Sequence, residues 1–144
     1  MPVWTFDTSV IIAYSVRELP NNFQLSAVVM AELTAGAADD SARKVFEAMR
    51  RDAAKHYALI VPTDDDWLTA SRVLYWLSRG RKKKAGGKAR RLVSGASQRM
   101  FLDVLIAVSA RRASATVVTN DWDDFKAIQY YCPVKLIRWS DFFR

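Results

Sequence analysis

The fold of this chain is decided near its N-terminus, where residues 3–14 read Val-Trp-Thr-Phe-Asp-Thr-Ser-Val-Ile-Ile-Ala-Tyr. The first four residues are apolar or β-branched, which predicts a short buried strand. Asp7 and the Thr-Ser pair after it are helix-capping residue types, so the apolar residues from Val10 onwards predict a helix. A strand that passes directly into a helix is typical of α/β proteins, and it leaves the Asp7 carboxylate where the strand ends.

Strands and helices alternate along the rest of the chain. Ser26 is a candidate cap for a helix that Gly36 ends. The alternation predicts an α/β fold with a mostly parallel sheet and helices on both faces, whose ligands bind at the carboxyl ends of strands. The predicted strands span residues 3–6, 23–25, 57–61, 116–118 and 134–137. The predicted helices span residues 10–14, 27–34, 40–54, 97–112 and 122–127, with a further helix after Thr63 or Asp64 that carries Trp67, Val73, Leu74 and Leu77 as an apolar stripe.

The length and composition limit the kinds of protein that this chain can be. Its 144 residues, 51% of them hydrophobic and 26% charged, are expected to form one globular domain over residues 1–144. Apolar runs such as residues 104–108 are far too short to span a bilayer, and no basic segment precedes the N-terminal apolar run, so no signal peptide is expected. Cys132 and His56 each occur once, which excludes an internal disulfide and His-based metal sites and fits a reducing cytoplasm.

Four acidic residues lie where acids are usually avoided. Asp7, Glu32 and Asp103 each interrupt an apolar run, and Asp121 follows the predicted strand at 116–118. An unpaired carboxylate in such a setting costs several kcal/mol, and no Lys or Arg lies within those runs. The economical explanation is that the four side chains converge and share a metal ion.

Each acid also has a simpler explanation when it is taken alone. Asp7 could only cap its helix, Glu32 could lie on an exposed helix face, and Asp121 could be a turn residue. Taken together the four favour a site. Clustered carboxylates are hard oxygen ligands that suit Mg²⁺ or Mn²⁺, and the number of ions, one or two, stays open.

A basic segment at residues 79–91 carries most of the excess charge. The whole chain has a net charge of +7. This segment holds eight Lys or Arg residues and no acid, whereas the rest of the chain has 14 basic and 15 acidic residues. Its glycines predict a loop or a hairpin of helices, and its charge predicts contact with a polyanion such as RNA. The residues expected to bind nucleic acid are Arg79, Arg81, Lys82, Lys83, Lys84, Lys88, Arg90 and Arg91.

Motifs that cover nearly the whole chain resemble, in their order, those of PIN-domain ribonucleases, and more narrowly those of VapC toxins from toxin–antitoxin pairs. The motifs are Phe-Asp-Thr-Ser-Val-Ile at 6–11, Ala-Glu-Leu at 31–33, Leu-Asp-Val-Leu-Ile-Ala at 102–107, and Val-Thr-Asn-Asp at 118–121 followed by Asp-Phe at 124–125.

This resemblance implies a three-layer α/β/α sandwich and RNA cleavage that depends on Mg²⁺ or Mn²⁺. It also implies frequent homodimers and inhibition by a cognate VapB antitoxin, whose acidic part is a second possible partner of the basic segment. The catalytic and metal-binding residues carried over by position are Asp7, Glu32, Asp103 and Asp121.

Supporting roles are carried over in the same way. Thr119 and Ser9 would orient a carboxylate or a water by hydrogen bonding, and Asp124 would cap a helix or support the site. The last motif contains three acids, so Asp121, Asp123 or Asp124 is the fourth ligand, with Asp121 preferred because it lies nearest the strand end. Trp122 either stacks on an RNA base or covers a hydrophobic edge.

Three functions are compatible with these features. The leading one is a metal-dependent endoribonuclease toxin, which leaves 5′-phosphate and 3′-hydroxyl ends. The second is a non-catalytic nucleic-acid-binding protein that uses residues 79–91. A metal-dependent phosphatase ranks low, because position 9 is serine where haloacid-dehalogenase-type phosphatases have a second aspartate.

Overall fold

The structure, a computed structural model, describes residues 2–14, 22–84 and 94–143. Its described strands form a three-stranded sheet of order β1-β4-β5 and a two-stranded sheet of order β2-β3, and every strand pair is parallel. A parallel bridge between Trp4 and Phe23 joins the two sheets. The strands are β1 (Val3–Phe6), β2 (Leu25–Ser26), β3 (Leu59–Ile60), β4 (Ala115–Thr119) and β5 (Leu136–Arg138).

Helices connect these strands, as parallel pairing requires. The predicted α/β class with a parallel sheet is confirmed. Strand order reverses between β1 and β4, and ligands of such sheets bind in the crevice outside the carboxyl ends at this point. The helices are α1 (Thr8–Tyr14), α2 (Ala27–Ala35), α3 (Asp40–Lys55), α4 (Asp64–Lys84), α5 (Ser94–Arg112), α6 (Trp122–Tyr131) and α7 (Trp139–Phe142).

The core surrounds β4 and α5. Val117 and Val118 of β4 are fully buried, as expected for a strand that is covered on both faces. Residues 104–110 of α5 are all buried, so this helix is apolar on every side rather than along one stripe. Among the described helices, none combines the length and the apolarity that crossing a bilayer requires.

The predicted helix ends are correct where side chains fix them. Ser26 accepts a hydrogen bond from the Val29 backbone N–H and caps α2, and the Gly36 N–H closes the helix on the Glu32 carbonyl at 2.9 Å. Thr63 and Asp66 cap α4 reciprocally, because each side chain accepts a bond from the other's backbone N–H.

Several predicted boundaries were wrong, including the strand predicted at 23–25, which lies at Leu25–Ser26, and three other differences have a local cause. Strand β3 starts at Leu59 and not at 57, because Tyr57 has a φ of 55° in the turn after α3. Helix α6 continues to Tyr131, since no helix-breaking residue precedes Pro133. Strand β5 begins two residues late, and the Val134 carbonyl accepts a bond from the Gln129 side chain instead of a ladder bond.

For residues 79–91 a loop or a hairpin of helices was predicted, and the loop is wrong in the first half of the segment, whereas the helix found there agrees with the second alternative. Helix α4 continues through Gly80 to Lys84, because the residues that follow the glycine are good helix formers. The remainder of that prediction, residues 85–91, lies outside the described residues. The predicted stripe of α4 is correct for Val73 and Leu77, which are buried, but Trp67 is 48% exposed and packs against Phe101.

Candidate metal centre

Asp7 lies at the carboxyl end of β1 and is 1% exposed. Its backbone N–H donates to the Val118 carbonyl, so the β1–β4 pairing extends as far as this residue. One carboxylate oxygen accepts bonds from the Ser9 hydroxyl at 2.7 Å and from the Val10 N–H at 3.2 Å. The other accepts a bond from the Thr119 hydroxyl at 2.7 Å. Asp7 therefore caps α1 and also presents an oriented carboxylate at the switch point of the sheet.

Burial of Asp7 raises the pKa of its carboxyl to about 6, although the bonds from Thr119, Ser9 and Val10 lower it. The nearby Asp121 charge raises it further. Three hydrogen bonds thus fail to compensate the loss of hydration, and the ionised form lacks a cation among the described residues.

Asp103, in the middle of α5, is the most perturbed acid of the site. Its pKa rises to about 8, first because of burial and then because of repulsion by four carboxylates. A charge raises the pKa of a neighbouring acid only when the two lie close together. The structure therefore brings the predicted acids into one electrostatic cluster. The four charges that act on Asp103 are those of Asp7, Glu32, Asp121 and Asp124.

Glu32 reaches this cluster from α2. Burial raises its pKa, and a 2.9 Å bond from the Thr8 hydroxyl to Glu32 Oε1 lowers it. Thr8 was missed by the sequence reasoning. The only signal for it was its place in the Asp-Thr-Ser run, where any helix start would also have a hydroxyl residue.

The segment that follows β4 is tied to the end of β1. The Thr119 hydroxyl donates to Asp7 and accepts a 2.9 Å bond from the Asp121 N–H. The Ser9 hydroxyl likewise donates to Asp7 and accepts a 3.4 Å bond from the Asn120 N–H. The two hydroxyls predicted to orient a carboxylate are placed to do so.

The structure separates the three acids of the last motif. Asp121 precedes α6 without a capping bond from its side chain, and burial together with the Asp124 charge raises its pKa. Asp124 also acts on Asp103. All three acids are exposed, but Asp123 acts on none of the described acids whose pKa is raised, so the electrostatics favour Asp121 and Asp124 over Asp123.

The donor set fits a hydrated divalent ion better than a closed cage. Over residues 2–14, 22–84 and 94–143, no three His, Cys, Asp or Glu side chains are close enough to form a ready ligand set. Hydroxyl groups hold Asp7 and Glu32 instead. Mg²⁺ keeps several waters and binds proteins through one or two carboxylates, so it does not require three protein ligands that are already in place.

Cations of the protein do not neutralise this cluster in the described part of the chain. The ion pairs found there lie elsewhere, for example between Arg112 and Asp66 at 2.7 Å. Of the eight cations in segment 79–91, only the Arg79 side chain is described, and it lies over the Tyr75 ring at 4.4 Å. The side chains of the other seven lie outside the described residues, so their predicted role stays a prediction.

The fold and the acidic edge define an α/β protein of the PIN-like type. By sequence, neither a protein-family model nor a curated protein matches the chain. Solved structures do match it. VapBC-5 from Mycobacterium tuberculosis, a member of the VapBC family of toxin–antitoxin systems, is 28% identical with a TM-score of 0.54, over 96% of this chain and 99% of that chain.

Two further structures match over similar lengths. VapBC-1 from nontypeable Haemophilus influenzae has 18% identity and a TM-score of 0.57, covering 96% of this chain and 98% of that one. DNA-bound VapBC from Salmonella typhimurium has 16% identity and a TM-score of 0.56, with 96% and 99% covered. The structural neighbours are thus VapBC toxin–antitoxin proteins, and the resemblance inferred from the motifs is confirmed at the level of the fold.

Proposed function

We propose that this chain is a divalent-metal-dependent endoribonuclease and the toxin of a VapBC-type pair. One observation supports this most: Asp103 has a pKa of about 8 because it is buried and faces the charges of Asp7, Glu32 and two acids after β4. Natural sequences rarely keep such repulsion unless a cation or a reaction uses it. The carboxyl edge of a parallel sheet is also the usual place for a ligand.

The roles of the residues follow from their contacts. Asp7, Glu32, Asp103 and Asp121 would hold Mg²⁺ or Mn²⁺, and Asp124 would support them. When bound, a divalent ion supplies positive charge against the phosphodiester and lowers the pKa of a water. Ser9 and Thr119 keep both Asp7 oxygens in place through bonds of 2.7 Å. This pre-positioning limits the rearrangement needed when RNA binds.

The basic segment 79–91 would hold the RNA strand. Neutralising phosphates with Lys and Arg releases counterions, so the affinity conferred by this segment should fall steeply with salt. The cytoplasm, where RNA is abundant, is the proposed place of action.

The test is cleavage of a single-stranded RNA by the purified chain. Mg²⁺ or Mn²⁺ should give products with 5′-phosphate and 3′-hydroxyl ends, and EDTA should stop the reaction. Asp7→Asn and Asp103→Asn should remove cleavage, while the matched variant Asp123→Asn should keep it. Unchanged cleavage by Asp7→Asn would mean that the assigned site is wrong.

A second candidate is a non-catalytic nucleic-acid-binding protein. It is favoured by the finding that the described acids do not form a ready ligand set. It predicts that Lys82→Gln, Lys83→Gln and Lys84→Gln together weaken RNA binding, and that no metal-dependent product forms under any condition.

The partner of the toxin would be a VapB-type antitoxin. In the described part of the chain, an apolar groove of about 1010 Å³ begins beside Glu32 and runs between α1, α2 and α3. Ile12 and Val45 line it and are 67% and 56% exposed. Exposed apolar residues in a groove mark interaction surfaces, and the groove suits an apolar antitoxin segment that ends at the acids.

Co-expression with the product of the neighbouring reading frame tests this partner. We expect a stable complex without RNA cleavage. Val45→Glu should weaken the complex, whereas Val61→Glu, which changes a valine of similar exposure outside the groove, should not. Equal effects of the two variants would contradict the assignment of the groove.

A homodimer is proposed through the exposed aromatic residues of α4. Trp67, Tyr75 and Trp76 are 48%, 55% and 44% exposed. A patch on one helix can pair with itself around a two-fold axis, and aromatic residues are enriched in such interfaces. Light scattering should give twice the mass of the chain, and Tyr75→Glu should give the single mass. A monomeric wild-type protein would refute this proposal.

A further inference from the structure

A tryptophan contacted by two cations lies beside the acidic centre. Trp122 is the first residue of α6 and directly follows Asp121. The Arg138 guanidinium carbon is 4.7 Å from the ring centroid of Trp122, and the Lys126 ammonium nitrogen is 5.6 Å from it. Both distances are within the range of about 6 Å over which an indole attracts a cation.

The sheet places Arg138 at the same edge as the acids. Arg138 is the last residue of β5, and its Cα is paired with that of Thr119 on β4. Neighbouring strands lie about 4.8 Å apart. The Thr119 hydroxyl donates a hydrogen bond to the buried Asp7 carboxylate. Arg138 lies on the strand next to Thr119 and is therefore close to this bond.

Arg138 lies against an aromatic ring and not against a carboxylate. Among the described residues it forms no ion pair, although Asp121 and Asp124 belong to the adjacent segment. Arg43 and Arg112, by contrast, bond to carboxylates. An aromatic ring holds a guanidinium by its face and leaves the N–H donors at its edge available to an anion.

We propose that Trp122, Lys126 and Arg138, the Trp122 subsite, bind the RNA strand on the β5 side of the acidic centre. Arg138 donates to a backbone phosphate, Trp122 positions the guanidinium, and Lys126 adds a second positive charge. This inference rests on the proposed function, because it assigns a path to the substrate of that site.

Single-stranded RNA satisfies the subsite better than an acidic peptide does. Its phosphates match the planar fork of the guanidinium, and its bases can stack on an arginine–aromatic pair. A peptide carboxylate offers only the first of these contacts.

The test compares two cations at opposite ends of β5. Arg138→Gln and Lys135→Gln each remove one positive charge, but Lys135 precedes the strand and lies at its amino end. Binding of a fluorescein-labelled single-stranded RNA is measured by anisotropy in EDTA, where cleavage does not interfere. We expect Arg138→Gln to weaken binding about fivefold or more and to lower the salt slope by about 0.7. Lys135→Gln should stay within about twofold of the wild type.

Tryptophan variants separate positioning from charge. Trp122→Phe retains a ring face and should keep most of the affinity, whereas Trp122→Leu should weaken binding about as much as Arg138→Gln does. Circular dichroism and thermal unfolding confirm that each variant is folded. Equal losses in Arg138→Gln and Lys135→Gln would overturn the subsite, and so would an Arg138→Gln variant that loses affinity for polyglutamate but not for RNA.

The outcome for the subsite is distinct from the outcome for catalysis. A specific loss of RNA affinity in Arg138→Gln supports the subsite even if the wild type never cleaves RNA. Metal-dependent cleavage by the wild type, together with unchanged RNA affinity of Arg138→Gln, overturns the subsite and leaves the nuclease in place.

Discussion

Replacing Asp103 by asparagine should make the metal-free protein more stable. The pKa of Asp103 is about 8 in the fold, against 3.8 for an ordinary aspartate. Since the folded value is raised, ionisation opposes folding, and the penalty grows once the pH exceeds the unfolded value. At about pH 7 the linkage relation gives a penalty of about 4 kcal/mol.

The measured gain should be smaller than this penalty. The amide introduced by the substitution would still lose hydration in a half-buried position. We therefore expect Asp103→Asn to add about 2 kcal/mol to the free energy of unfolding, or about 6 °C to Tm for a chain of this length. Urea unfolding of both proteins in EDTA at the same protein concentration measures the difference in the free energy of unfolding.

Magnesium should make the wild type more stable than Asp103→Asn, the reverse of the order expected without metal. A ligand that binds only the folded state stabilises it, so the wild type should gain stability in millimolar Mg²⁺ and Asp103→Asn should gain little. The control Asp123→Asn removes an exposed acid from α6 and should change stability by less than about 0.5 kcal/mol. If Asp103→Asn is less stable than the wild type in EDTA, the carboxylate is not under repulsion and the argument for a cation fails.

Three further outcomes follow from the same contacts. The metal-free wild type should lose stability between about pH 4 and pH 8, because the pKa values of Asp7 and Asp103 are raised to about 6 and about 8, and urea midpoints near both ends check this. Thr119→Val removes the donor to Asp7 and the acceptor of the Asp121 N–H, so it should cost about 2 kcal/mol and most RNA cleavage, whereas Thr116→Val on the other face of β4 should cost little. Arg112→Met should lower the free energy of unfolding in urea by about 3 kcal/mol, because it leaves the buried Asp66 without its ion-pair partner. The exposed control Arg72→Met should lower it by less than about 0.5 kcal/mol.

The sequence was sufficient for features that depend on near neighbours. The Asp-Thr-Ser run marked both the end of β1 and the start of α1, since a strand end, a cap and a helix start are adjacent in the chain. The helix that carries Asp103 was predicted from its local pattern, but the burial of residues 104–110 on every side was not. Convergence of the acids was expected from their apolar settings and from the resemblance, but the distances between them were not, because spacing along a chain does not fix distances across a sheet.

Features that depend on distant residues could not be predicted. Asp66 belongs to a run of three aspartates that looks solvent-exposed, yet it is 4% exposed and is paired with Arg112, 46 positions away. The Trp122–Arg138 contact arises in the same way, from the parallel register of β4 and β5. The local sequence pattern predicts neither the Asp66–Arg112 ion pair nor the Trp122–Arg138 contact, because tertiary packing determines both.

The fold therefore treats two buried acids in opposite ways, and this contrast is the physical case for a cation. Asp66 lies in the first turn of α4 and accepts hydrogen bonds from the Arg112 guanidinium and from the Thr63 backbone N–H, so its charge is compensated within the protein. Asp7 receives hydrogen bonds only from neutral donors, and the pKa of Asp103 is raised first by burial and then by the surrounding carboxylates. A chain that pairs one buried acid so completely has the means to pair the others, and the repulsion at the ligand-binding edge of the sheet supports the proposal that a cation from solution is their partner.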